Sequence, residues 1–204
     1  MFGRGGRPRY VIVGLGNPGP AYARTRHNVG AELVERLAAE ARIDLKRQRG
    51  QARVAEAELE GVPVVLAIPT TYMNESGRPI ARLVRKQGIR PDQLLIVQDE
   101  LDLPPGRVRL KAGGGTAGHN GLESIAAVLR SRDFLRLRIG VGKPPSKQEG
   151  ADHVLSKLRP EDREIVDGSM EQGLEAVRVL VRDGLDAAQN VLHAPRGESG
   201  TSAE

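Results

Sequence analysis

Histidine is scarce in this chain, with four in 204 residues. One of them, His27, lies where the loop after the first apolar run meets a helical pattern. A loop histidine is ordinarily a helix cap or a solvated hydrogen-bonding group. Asp99 alters that expectation, because it directly follows another apolar run (94–98, LLIVQ). At the same sheet edge it would hold one imidazole nitrogen and leave the other as a base. The chain has no cysteine, which excludes a thiol nucleophile, a thiolate metal site and a disulfide. No G-x-S-x-G elbow offers a serine, so a His–Asp pair here has to activate water directly. The histidines at 27, 119, 153 and 193 show no H-E-x-x-H or comparable spacing, and neither a metal nor an organic cofactor is expected.

Asparagines Asn17, Asn28, Asn74 and Asn120 all fall in loops. Each alone reads as a turn residue, since its side chain mimics a backbone turn. Gathered at one rim they would instead offer amide donors and acceptors suited to peptide carbonyls and ester oxygens. The four loops concerned, 14–28, 69–77, 98–106 and 112–121, each follow a predicted strand, and ligands of open α/β sheets bind at that edge. Loop 14–28 opens with GLGNPG, a literal G-x-G-x-x-G. Pro18 and Pro20 interrupt it, the apolar period starts only at Val29, and the next strand ends without an acid placed for a ribose hydroxyl. A nicotinamide or flavin site is therefore not supported by the context. The glycines at 113–115 and 118 allow close backbone approach to a ligand, or simply make the turn.

The elements that must position these loops are readable from periodicity. Residues 10–15 (YVIVGL) form a short β-branched run, and Val29, Leu33, Leu37 and Ala41 recur every fourth position as a helix with one buried face. ARVAEAEL and VPVVLAI flank Glu60-Gly61 as a hairpin. Ser76 and Pro79 mark a capped helix ending near Gly88. A strand at 94–98, a weaker one at 107–111, a helix at 122–129, a strand at 135–141, a long helix from 160 to 183 and a shorter one through Leu192 complete the pattern. The expectation is a single α/β domain, a twisted mixed sheet surrounded by helices, spanning 10–193 with loose tails at 1–9 and 194–204. No apolar run reaches the roughly 18 residues of a membrane span, and the start lacks a leader's apolar segment, so a cytoplasmic protein without a membrane partner is expected. The net charge of +5 suits a polyanionic partner but is equally an ordinary solvated surface. With 2% aromatic residues, RNA would be held through phosphates rather than by stacking.

The motifs GLGNPG, RHN, TYMNESG, DELDLPPG, GGG followed by GHNGL, and FLRLRIGVGKP occur in that order over residues 10–193. Together they resemble the bacterial peptidyl-tRNA hydrolases. The resemblance implies a monomeric α/β hydrolase acting on the acceptor stem and 3′ end of peptidyl-tRNA. It implies that His27 is the general base, that Asp99 supports it, and that Asn17 distinguishes N-blocked peptidyl groups from free aminoacyl ones. Tyr22, Tyr72, Met73, Asn74 and Asn120 would line the groove for the peptide and the 3′ end, with Lys111 and Arg138 on acceptor phosphates. The chain departs from the usual pattern at Thr116 and Ala117, where relatives often carry His and Gly, and at Gln98, where His is frequent. These departures leave His119 as an organiser of its loop rather than a second base. The competing class is a noncatalytic RNA-binding protein of the same fold, which would keep the basic surface and not need His27.

Overall fold

In the computed structural model, residues 9–49, 51–144, 146 and 150–193 are described. The first apolar run becomes β1 (Tyr10–Gly14), buried along its whole length, as a strand covered on both faces must be. It pairs in parallel with β4 (Val62–Pro69) on one side and β5 (Leu94–Glu100) on the other. β5 continues in parallel to β7 (Leu135–Gly140), which pairs antiparallel with β6 (Val108–Ala112). On the far side β3 (Ala52–Leu59) forms the expected hairpin with β4. Glu60 and Gly61 both have positive φ, 50° and 73°, as a type I′ turn requires. The sheet order is β2-β3-β4-β1-β5-β7-β6. The chain thus leaves β1 in opposite directions, and a crevice opens at the carboxyl ends of the parallel strands.

Helices cover both faces. α1 (Val29–Glu40), α5 (Pro160–Asp183) and α6 (Leu185–His193) bury one set of strand side chains, including Ile12, Leu66, Leu95, Val97 and Leu137. α2 (Gly77–Gln87) and α3 (Asn120–Leu129) bury the other, including Val11, Val13, Val65 and Ile96. Each such fully buried aliphatic side chain contributes about 1.5–3 kcal/mol relative to exposure. The loop glycines are explained by packing: a Cβ on Gly30 would lie 2.2 Å from the Val97 carbonyl oxygen, and one on Gly14 would lie 2.4 Å from that of Gly30. The GLG start of the first loop thus lets α1 press onto β1 and β5.

Several expectations are corrected. Ser76 does not cap α2 with its side chain; its hydroxyl donates to the Met73 carbonyl, and the first helical N–H, that of Gly77, is taken by Ser124 Oγ of α3. β6 runs one residue later than the predicted 107–111, and α3 starts at Asn120 rather than 122. An edge strand β2 (Lys46–Gln48) and a short helix α4 (Gly150–Leu155) were not expected at all. Arg9, expected in a tail, donates its backbone N–H to Pro63. The remainder of both expected tails, 1–8 and 194–204, lies outside the described residues. Among the described residues no helix is long and apolar enough to cross a membrane.

Candidate active site

His27 sits on a single 3-10 turn, Arg26–Asn28, that runs directly into α1. The turn is fastened to the sheet on both sides, since Leu15 donates to Val97 O at 3.0 Å and Ala31 to Leu15 O at 2.9 Å. Asp99, next to last in β5, rises beside it. His27 Nδ1 lies 2.8 Å from Asp99 Oδ1, with the two residues only 6% and 3% exposed. His119 Nε2 lies 3.1 Å from the same oxygen.

The hydrogen positions follow from the partners. His119 is the N-cap of α3, and its Nδ1 accepts the backbone N–H groups of Gly121 and Leu122. That nitrogen therefore carries no proton, and the ring's hydrogen is on Nε2, donated to Asp99. A carboxylate only accepts, so Nδ1 of His27 also donates to it, and His27 Nε2 keeps an open lone pair. Burial works against the ionised form of Asp99, yet the polar contacts from His119 and His27 outweigh it and hold the carboxyl well below the usual carboxylate range. His27, Asp99 and His119 present three ligand atoms within 4.8 Å of one another. A cation on His119 Nε2 would force an N–H toward the two backbone N–H groups at Nδ1, so the trio is organised as a hydrogen-bonded chain and fits a metal poorly.

His27, Asp99, His119 and Asn120 line a cleft of about 580 Å³, with Lys143, Gly150 and Val154 in its far wall. Asn17 lies in an adjoining hollow with Asn28, Arg24 and Thr70. The Asn17 Oδ1 accepts the Met73 N–H at 2.8 Å, and its backbone is clasped by Asn28, whose Oδ1 accepts from Asn17 N and whose Nδ2 donates to Asn17 O. This fixes the Asn17 amide and leaves only its Nδ2 hydrogens to offer. Met73 and Asn74 sit on a second 3-10 turn, Met73–Glu75; Met73 is buried, while Asn74 and Asn120 are exposed. Tyr22 and the 56% exposed Tyr72 meet edge to face at 6.2 Å.

The two basic positions are less close to the base. Arg138 is opposite Gln98 in the β5–β7 register, level with the site, and its Nε donates to Glu100 Oε2 at 2.7 Å. Lys111 pairs across to Arg136, which is opposite Ile96, three residues and so roughly 10 Å below Asp99 along the strand. Arg109 faces Arg138, and Lys111 faces Arg136. Like charges directly opposite one another destabilise a sheet, so this cationic face is maintained at a cost. Sequence reasoning missed Arg136, whose guanidinium braces the glycine loop through the carbonyls of Gly113 and Gly115. The alternation in LRLRIG carried that signal. It also missed Arg26 and its partners 130 residues away, Ser156 and Lys157, for which the sequence holds none.

Comparison with known proteins bears on the family of the chain. The profile of the family described as peptidyl-tRNA hydrolase matches residues 11–200. A peptidyl-tRNA hydrolase of Mycolicibacterium vanbaalenii is 48% identical over 185 residues, covering 90% of this chain and 96% of the relative. One from Nocardia farcinica is 49% identical, covering 90% and 95%. The crystal structure of peptidyl-tRNA hydrolase from Acinetobacter baumannii superposes with a TM-score of 0.88 at 41% identity, covering 93% of this chain and 98% of the other. With the match running through nearly every described element, the chain belongs to the peptidyl-tRNA hydrolase family.

Proposed function

We propose that this chain is a hydrolase that cuts the ester joining a peptide to the 3′-terminal ribose of tRNA. The observation that carries the reading is the His27–Asp99 pair: Nδ1 is committed to a buried carboxylate, and Nε2 keeps its lone pair in the wall of an open cleft. Nε2 takes a proton from water as the oxygen attacks the ester carbonyl carbon. The bond to the ribose oxygen then breaks, and the proton returns to that leaving oxygen. The resulting imidazolium is matched by the Asp99 charge, as in other His–Asp sites.

Asn17 Nδ2, a donor with no competing acceptor role, suits the carbonyl of an N-acyl group and repels a free α-ammonium. That supports selection of peptidyl over aminoacyl ester. The paired Tyr22 and Tyr72, Met73, Asn74 and Asn120 flank the route of the peptide and 3′ end. Lys111 has no acidic partner among the described residues and is the more available phosphate contact, whereas Glu100 offsets part of the Arg138 charge. We read the enzyme as a cytoplasmic monomer that returns tRNA to translation. A noncatalytic RNA-binding role is the weaker reading, since it gives the buried His27–Asp99–His119 chain nothing to do.

The test is release of N-acetylated amino acid from tRNA by the purified protein, with free aminoacyl-tRNA as control. His27→Ala should lower kcat by roughly 10²- to 10⁴-fold, the usual contribution of a positioned base. Asp99→Asn can still take both imidazole donors on one oxygen and loses only the charge. Its expected loss is smaller, about ten-fold, with an altered pH profile. Unchanged kcat in His27→Ala would rule out the assignment.

A further inference from the structure

One cationic surface plays no part in the site just described. The outward side of α2 carries Arg78, Arg82, Arg85 and Lys86, all exposed, at spacings of four, three and one. Such spacing places them along one helix face. The neighbouring edge strand β2 and its turn add Lys46 and Arg49, also exposed. The two groups are contiguous, because Arg49, Arg82 and Lys86 line a single hollow with Gln48 and Pro79.

None of these six cations has an acidic partner among the described residues. By contrast, Arg36, Arg53, Arg90, Arg159, Arg163, Arg178 and Arg182 all pair with carboxylates. The segregation is written in the sequence, since neither 77–87 (GRPIARLVRKQ) nor 46–53 (KRQRGQAR) contains an acid. A surface left that positive calls for a polyanion.

Its position selects which one. α2 follows immediately on the 3-10 turn Met73–Glu75 that carries Met73 and Asn74, and its eleven residues extend about 16 Å from the rim of the site. α2 packs on α3, whose leading glycine loop is tied to β7 by Arg136. The α2 surface and the β6–β7 cationic face therefore flank α3 on the same side of the sheet. We propose that the α2–β2 surface is a second backbone-binding face for the tRNA substrate, engaging phosphates of the tRNA body beyond its 3′ end. This rests on the reading of the chain as a peptidyl-tRNA hydrolase. The recognition is electrostatic and independent of sequence, and it acts on KM rather than on the chemical step.

The experiment compares wild-type protein with Arg49→Gln/Arg82→Gln/Lys86→Gln on two substrates, N-acetylaminoacyl-tRNA and the same ester on the trinucleotide CCA, across a range of salt. All three positions are exposed, so folding should be retained. The expected result is a KM for the full tRNA raised about ten-fold at low salt. The slope of log KM against log salt should fall by about 2, at roughly 0.7–0.9 per lost phosphate contact. Kinetics on the trinucleotide ester should not change. Unchanged KM and slope on full tRNA overturn the proposal, as does an equal loss on both substrates, which would locate the effect in the cleft. Loss of binding to phosphatidylglycerol vesicles with tRNA kinetics unmoved overturns it in favour of a membrane surface. If wild-type protein cleaves neither ester, the hydrolase reading fails, and deacylated tRNA binding by the same pair of proteins still decides the proposal.

Discussion

Asp99 Oδ1 receives hydrogen bonds from both His27 and His119, and the two backbone N–H groups on His119 Nδ1 decide that only His27 retains an open lone pair. His119 therefore has two separable duties, capping α3 and sharing the carboxylate. His119→Ala removes both. It should lower stability by about 1 kcal/mol through the lost cap and reduce kcat about ten-fold. Asparagine is a strong N-cap but too short to keep both contacts, so His119→Asn should restore the urea midpoint and leave kcat low. Recovery of kcat along with stability would mean that the cap alone matters. The His27–Asp99 pairing was readable in the sequence because Asp99 follows a predicted strand and His27 stands where the loop after the first strand meets its helix, which puts both at the same sheet edge. The loop-organising part of His119 was readable too. Its hold on Asp99, and the fixing of the Asn17 amide by Met73 N–H, depend on where two loops meet in space and left no local trace.

At the scale of elements, the site is set by how close α1 comes to the sheet. Gly30 has the Val97 carbonyl oxygen where a Cβ would be, at 2.2 Å, and backbone cannot move aside as a side chain does. Gly30→Ala should therefore cost about 1–3 kcal/mol as overpacking, read by chemical denaturation. It should also depress kcat, because His27 lies three residues upstream, on the turn that runs directly into α1. Gly168 in α5 is exposed with nothing near a Cβ, so the same change there should stabilise by roughly 0.5–1 kcal/mol through helix propensity. A loss at both positions would contradict the packing argument. Strong periodicity made β1, α1, the β3–β4 hairpin and α5 readable. β2 is three exposed polar residues that are a strand only because β3 supplies the hydrogen bonds. α4, at six residues, is below the length at which a helix has stability of its own.

Across the whole molecule, segments 130 residues apart meet at the residue before the base. Arg26 is buried, and its Nη1 donates to Ser156 Oγ at 2.6 Å and Lys157 O at 2.8 Å, while its backbone N–H donates to Ser156 O and Thr25 bridges to Lys157. The segment it holds follows α4, which supplies Gly150 and Val154 to the far wall of the catalytic cleft. His27 and that wall are thus fastened through one guanidinium, and the shape of the cleft depends on a contact spanning 130 residues. Hydrogen bonds from a charged donor contribute roughly 1.5–3 kcal/mol each. Arg26→Gln, losing about 2 kcal/mol of local stability, should speed amide hydrogen exchange at 150–158 by roughly 30-fold. Amides in β1 and β5 should exchange at their original rates, because the sheet does not use this contact. KM for peptidyl-tRNA should rise as the wall loosens. Exchange at 150–158 that matches wild-type would show that α4 is held by its own packing, and the coupling of cleft wall to base would be withdrawn.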